Sequence, residues 1–173
     1  MPPARSARAG LNKTEGRFSG RQCLTRGIES QKTEPTMKTL FTSEAVSKGG
    51  RSGTIRSPDG LLDVTLGNPL EKGAEKRGPN PELLFAGAYS ACFHGALANA
   101  AKKLGIPVVD STVHAMVSLI EDDQGGYRLG VELRGVLPGV NRAQAEQIME
   151  AAHKTCPYSK ALRGDTSVKL TVA

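Results

Sequence analysis

The most reactive side chains in this 173-residue sequence are three cysteines, Cys23, Cys92 and Cys156. Sulfur acts as a nucleophile only as thiolate. A working cysteine therefore needs a cation that favours the charged form, and redox cycling needs a second thiol within reach. Cys92 stands in the apolar stretch Leu84-Phe85-Ala86-Gly87-Ala88-Tyr89-Ser90-Ala91-Cys92-Phe93, and Cys156 directly precedes Pro157. Two readings of this pair stay open at the level of residue types. They could be small buried side chains, the commonest fate of cysteine, or a redox couple, since thiols in a reducing compartment serve catalysis or metal binding more often than permanent cross-links. The polar tips of Tyr89 and Ser90 beside Cys92 are not needed for packing and weigh toward chemistry.

A metal centre competes for the same residues, because His94 and His153 accompany the cysteines. Side chains two apart on a helix point about 200° from each other, so Cys92 and His94 do not share an ion. His153 and Cys156, three apart, could share a face, but two ligands fall short of the four of a closed zinc site. No metal and no cofactor is expected. His94 and His114 read as packed or surface histidines.

The elements that must position the thiols follow from pattern. A strand is expected over Leu40–Val46, then the turn Lys48-Gly49-Gly50-Arg51-Ser52-Gly53. Thr54–Ser57 and Leu61–Leu66 flank Pro58-Asp59-Gly60, in which Pro presets one turn dihedral and Gly accepts positive φ; residues 67–78 form a loop. Asn80 is a good N-cap and Pro81 suits the first helical position, so a long helix should run from Pro81 to about Leu104 and stop at Gly105. Its interior is nearly free of charge, which predicts burial on all sides; Lys102 and Lys103 suit the dipole of its last turn. Val113, Ala115, Val117 and Leu119 alternate, as do Tyr127, Leu129, Val131 and Leu133 after Gln124-Gly125-Gly126, giving a hairpin. Asn141 caps a second helix with Gln144 as capping-box partner, and Ala145, Ile148, Met149 and Ala152 form its buried stripe. It ends near Cys156-Pro157, and Val168, Leu170 and Val172 make a last strand. The order βββ-α-ββ-α-β, without βαβ alternation, is an α+β fold of antiparallel sheets around a long central helix.

Composition bounds the rest. A hydrophobic fraction of 38% is ordinary for a globular domain, and no apolar run reaches the ~18 residues of a membrane helix. Residues 1–36 hold seven basic and three acidic residues, +4 of the total charge of +6. The basic character therefore belongs to the N-terminal segment, whereas a nucleic-acid reader would carry a basic stripe in its folded part. Residues 1–36 read as a disordered extension, with Met37 a candidate start, or alternatively as an Arg-rich transit peptide. The first places the domain over 37–173 in the cytoplasm, the second in an organelle.

Two segments then stand out together. Asn80-Pro81-Glu82-Leu83-Leu84-Phe85 followed by Tyr89-Ser90-Ala91-Cys92-Phe93, and Ala152-His153-Lys154-Thr155-Cys156-Pro157-Tyr158-Ser159 with Arg163-Gly164, resemble the organic hydroperoxide resistance family. Gly49-Gly50-Arg51-Ser52-Gly53 and Ser57-Pro58-Asp59-Gly60 fit the same pattern, and the likeness spans residues 37–173. That family lies within the wider one of osmotically inducible protein C; Tyr89 and the Cys-Pro-Tyr-Ser run favour the hydroperoxide branch. The resemblance implies an intertwined homodimer with sites at its interface and a thiol peroxidase activity on alkyl or fatty acid hydroperoxides. It makes Cys92 the peroxidatic cysteine, Cys156 the resolving cysteine, Arg51 the holder of the thiolate and Glu82 the carboxylate that orients Arg51. It also implies re-reduction by dihydrolipoyl groups on lipoylated proteins. Pro79, Lys160 and Asp165 depart from the family pattern, at none of these four positions.

Leu83, Leu84, Phe85, Phe93 and Ile148 are candidates to line an apolar pocket for the hydroperoxide tail. Arg56 is the other arginine near the glycine-rich turn. Glu82 and Cys92 are ten residues apart, roughly 15 Å of axial rise on an unbroken helix. Either the helix bends, with Gly87 the natural place, or Glu82 serves the site of a partner subunit. Other functional classes remain: a sister-branch peroxidase that also takes hydrogen peroxide, a non-catalytic small-molecule-binding module of this fold, and a nucleic-acid accessory protein suggested only by the basic segment.

Overall fold

Turn chemistry shapes the first sheet. The computed structural model describes residues 37–72, 78–164 and 166–173, and divides into two units, Met1–Phe41 and Thr42–Ala173. The expectations for residues 1–36, for part of the 67–78 loop and for Asp165 lie outside the described residues. In the second unit β1 (Val46–Lys48), β2 (Thr54–Arg56) and β3 (Asp63–Thr65) form an antiparallel sheet. The β2–β3 turn closes through Gly60 at φ 76°, with the Gly60 N–H donating to the Ser57 carbonyl. The strand expected over Leu40–Val46 begins only at Val46; Leu40 and Phe41 are 83% exposed. The reason is the ladder. Val46 pairs with Arg56, the last residue of β2, and from Ser57 the chain turns toward β3, so no strand continues opposite the preceding residues.

Helix α1 (Pro81–Leu104) has the expected bounds. The Asn80 side chain accepts from the Leu83 N–H at 2.8 Å, and Gly105 ends the helix in the left-handed region at φ 67°. Strands β4 (Thr112–Glu121) and β5 (Tyr127–Val136) form a ten-rung hairpin. Helix α2 (Arg142–Thr155) buries Ala145, Ile148, Met149 and Ala152. A short helix not expected from the sequence, α3 (Pro157–Ala161), follows before β6 (Val168–Val172).

Two expectations need correction. β6 pairs parallel to β5, because α2 and α3 carry the chain across the sheet and return it in the same direction. The second sheet, ordered β4-β5-β6, is therefore mixed, within an α+β architecture that stands. Helix α1 is also not covered all round. One side packs Ala86, Tyr89, Phe93, Leu97, Ala100 and Ala101 into a core shared with Val131, Leu133, Ile148 and Met149. The other side, Leu83, Gly87, Ala91 and Gly95 at i, i+4 spacing, is exposed. One chain supplies only enough layers for one side. Burying large apolar side chains such as Phe93 and Ile148 contributes about 1.5–3 kcal/mol each. Among the described residues no helix is long and apolar enough to cross a membrane.

Candidate active site

The two sulfurs come from three elements meeting at one point. Cys92 lies in the middle of α1, half-buried, and Cys156 is the residue between α2 and α3, fully buried. Its backbone leaves the helical region (φ −58°, ψ 126°), and Pro157 then starts α3. Cys92 Sγ and Cys156 Sγ, both free thiols, are 3.6 Å apart. The contact needs only a small approach to become a bond of about 2.05 Å. Burial pushes the Cys92 thiol above its ordinary pKa. The Tyr158 backbone amide lowers it, and the neighbouring Cys156 adds to the rise. Left alone, this sulfur is mostly protonated at neutral pH and needs a cation to become a good nucleophile.

A buried polar contact lies beside the sulfurs. The Tyr89 and Ser159 hydroxyls are 2.8 Å apart, on residues 0% and 1% exposed. Phe85 stacks on Tyr158 with centroids 5.9 Å apart and planes 12° from parallel, and Tyr89 tilts against both rings. Desolvation raises the Tyr89 pKa, so the phenol stays neutral.

The cation sits on the first sheet's turn. Arg51, in a 3-10 turn (Gly50–Ser52) between β1 and β2, donates from Nη1 to Glu82 Oε1 at 3.1 Å and from Nη2 to Oε2 at 2.7 Å. A side chain at Gly53 would run into the Lys48 carbonyl oxygen, so this turn closes on glycine. The hydrogen bonds from Arg51 hold the Glu82 carboxyl below the usual range, and Glu82 raises Arg51 in turn. Buried Arg51 Nε has no partner among the described residues. Arg56 pairs with Asp63 at 2.9 Å on the exposed surface. Helix α1 runs unbroken through Gly87, so the Arg51–Glu82 pair at its start and Cys92 remain about 15 Å apart along the axis. The structure thus brings together the two thiols, and separately the arginine and carboxylate.

The pocket residues divide. Leu83 lines a cavity of about 310 Å³ together with Glu82 and Ala86, and Leu84 and Phe85 are half-buried. Phe93 and Ile148 are 0% exposed and lie in the core. The larger cavity, about 610 Å³, opens beside Cys92 and is lined by Gly95, Ala96, Asn99, Lys103, Ala151 and Pro157. None of the five expected residues lines it. His94 binds Ser111 Oγ at 2.9 Å, and burial, with Arg163 nearby, lowers the His153 pKa. Sequence reasoning missed Ser159 and α3. In the sequence pattern Pro157 marks the stop of α2, although Pro at a first helical position is equally a start signal.

Comparison with known proteins bears on this geometry. The family description "OsmC-like protein" matches residues 73–171. The organic hydroperoxide resistance protein OhrB of Bacillus subtilis (strain 168) is 45% identical over 132 residues, covering 76% of this chain and 96% of that protein. Its crystal structure superposes with a TM-score of 0.74 at 43% identity, covering 78% of this chain and 100% of that one. An organic hydroperoxide resistance protein from Legionella pneumophila gives a TM-score of 0.73 at 41% identity, with 79% and 99% covered. With one family description over more than half its length and such relatives matched nearly end to end, this chain belongs to the organic hydroperoxide resistance branch of the OsmC-like family.

Proposed function

We propose that this protein is a thiol peroxidase that reduces organic hydroperoxides to alcohols through Cys92 and Cys156. The Cys92 thiolate attacks the terminal peroxide oxygen, the O–O bond breaks, and the departing alkoxide takes a proton to become the alcohol. Cys92 is left as a sulfenic acid. The Cys156 thiolate then attacks the Cys92 sulfur and displaces hydroxide, which leaves as water when protonated, and a disulfide forms. An external dithiol, in this reading a dihydrolipoyl group on a lipoylated protein, restores both thiols by exchange. The carrying observation is the 3.6 Å contact between two free sulfurs 64 residues apart in sequence.

The working unit in this reading is a homodimer. The Arg51–Glu82 pair lies about 15 Å along α1 from the Cys92 of its own chain, so it acts on the Cys92 of a second copy, whose exposed α1 face it would meet. There the guanidinium offsets the burial that keeps Cys92 protonated. The domain is residues 37–173, acting in the cytoplasm as an oxidative stress defence. Thiol titration before and after one equivalent of cumene hydroperoxide tests the class. Loss of two thiols per chain, Cys92 and Cys156, is expected; retention of both would end the proposal. A comparable rate with hydrogen peroxide would move the protein to the sister branch.

A further inference from the structure

We infer that the buried Tyr89–Ser159 hydrogen bond is a clasp that positions Cys156 to capture oxidised Cys92, making both hydroxyl residues positioning residues for disulfide formation. The inference rests on the peroxidase reading and assigns what sets its second step. The reacting sulfurs sit on segments that no shared ladder holds together. Cys156 N–H continues α2 by donating to the Ala152 carbonyl at 2.8 Å, and the Cys156 carbonyl accepts from Lys160 N–H at 3.0 Å to begin α3. These bonds fix Cys156 to α2 and α3 but not to α1, where Cys92 lies.

The register adds a side-chain tie beside the Tyr158 backbone amide, which already faces the Cys92 sulfur from α3. Tyr89 is three residues before Cys92 and Ser159 three after Cys156, so each hydroxyl lies about one helical turn from its sulfur. The hydroxyl contact at 2.8 Å and the sulfur contact at 3.6 Å thus join the same two segments side by side. Phe85, one turn earlier on α1, stacks on Tyr158 and extends the alignment. Packing alone does not require the two oxygens, since phenylalanine and alanine would fill nearly the same space. Their bond adds direction. Removing one partner leaves the other buried without a hydrogen bond, which favours any displacement of α3 that lets water in.

The chemical consequence is a partition. The Cys92 sulfenic acid either loses its oxygen as hydroxide to the attacking Cys156 thiolate, giving the disulfide, or reacts with a second hydroperoxide. In the second case one oxygen is transferred to sulfur, sulfinic acid forms and a second alcohol is released. A displaced Cys156 slows only the first branch.

The test uses full-length protein with Tyr89→Phe, Ser159→Ala and, as a destabilised control in the same core that removes no polar group, Leu133→Val. Rapid quench after one equivalent of cumene hydroperoxide separates sulfenic acid formation, trapped by dimedone at Cys92, from disulfide formation; mass spectrometry after excess peroxide gives the sulfinic fraction. Each hydroxyl deletion should leave sulfenic acid formation within about twofold and slow disulfide formation about tenfold. The sulfinic fraction should rise, with the double variant no worse than the worse single one. Leu133→Val should lower Tm without changing the partition. Wild-type disulfide rates in both hydroxyl variants, or an equal shift in the control, would overturn the clasp. Absence of any sulfenic acid in the unaltered protein would instead overturn the peroxidase reading beneath it.

Discussion

Arg51 binds Glu82 through both carboxylate oxygens, and the pH behaviour of the pair follows from that. The Glu82 pKa is depressed in the folded chain, chiefly by the Arg51 hydrogen bonds. Its contribution to stability is therefore fully present above the unfolded carboxylate pKa, about 4.3, and is lost as pH falls through the lower folded value. The Tm difference between the unaltered protein and Glu82→Gln should be constant near neutrality and shrink below about pH 4. With the Arg51 side chain 37% exposed, solvent screening keeps that difference small. Cys92 runs the other way, pushed up mainly by burial. Arg51→Ala should lower turnover by about a hundredfold, the scale of one lost preorganised electrostatic contact. It should also move the pH midpoint of Cys92 alkylation to higher pH. An unchanged midpoint would remove Arg51 from the thiolate's surroundings.

Helix α1 was legible from end to end because its signals are local: Asn80 to cap, Pro81 to start, Gly105 to stop. The stripe of α2 and the alternation of β4 and β5 were legible for the same reason. What the sequence hid depends on distant partners. The direction of β6 is set by the path of α2 and α3, and the start of β1 by where β2 ends. The site divides likewise. Cys92, Cys156, Arg51 and Glu82 could be named from motifs, whereas the Tyr89–Ser159 contact joins residues 70 apart with no local signature. The nearly uncharged interior of α1 predicted cover on every side, yet one chain covers one side only. A side chain built at Gly87 would meet nothing within 4 Å, so Gly87→Leu should fold as a single chain with full helical circular dichroism. If α1 packs on a second copy, the same change should shift sedimentation from dimer to monomer.

At the scale of the molecule, the Arg51–Glu82 pair and the thiols belong to one site only if two copies share it. Subunit mixing decides this. Arg51→Ala chains, about a hundredfold slow alone, and inactive Cys92→Ser chains should regain about a quarter of normal peroxidase activity after being unfolded together and refolded, because about half the pairs are mixed and each of these holds one intact site of two. No recovery would mean that each chain keeps its arginine for its own cysteine. The mixed sheet carries a further consequence. β4 is an outer strand with ten paired residues on one side and, among the described residues, no strand paired on the other. Its sequence, Thr112 to Glu121, contains no lysine or proline to guard that margin, the usual protection against adhesive strand edges. An extended segment of another chain could add there, so Ile120→Lys on that strand should slow clumping of the concentrated protein, as light scattering would record.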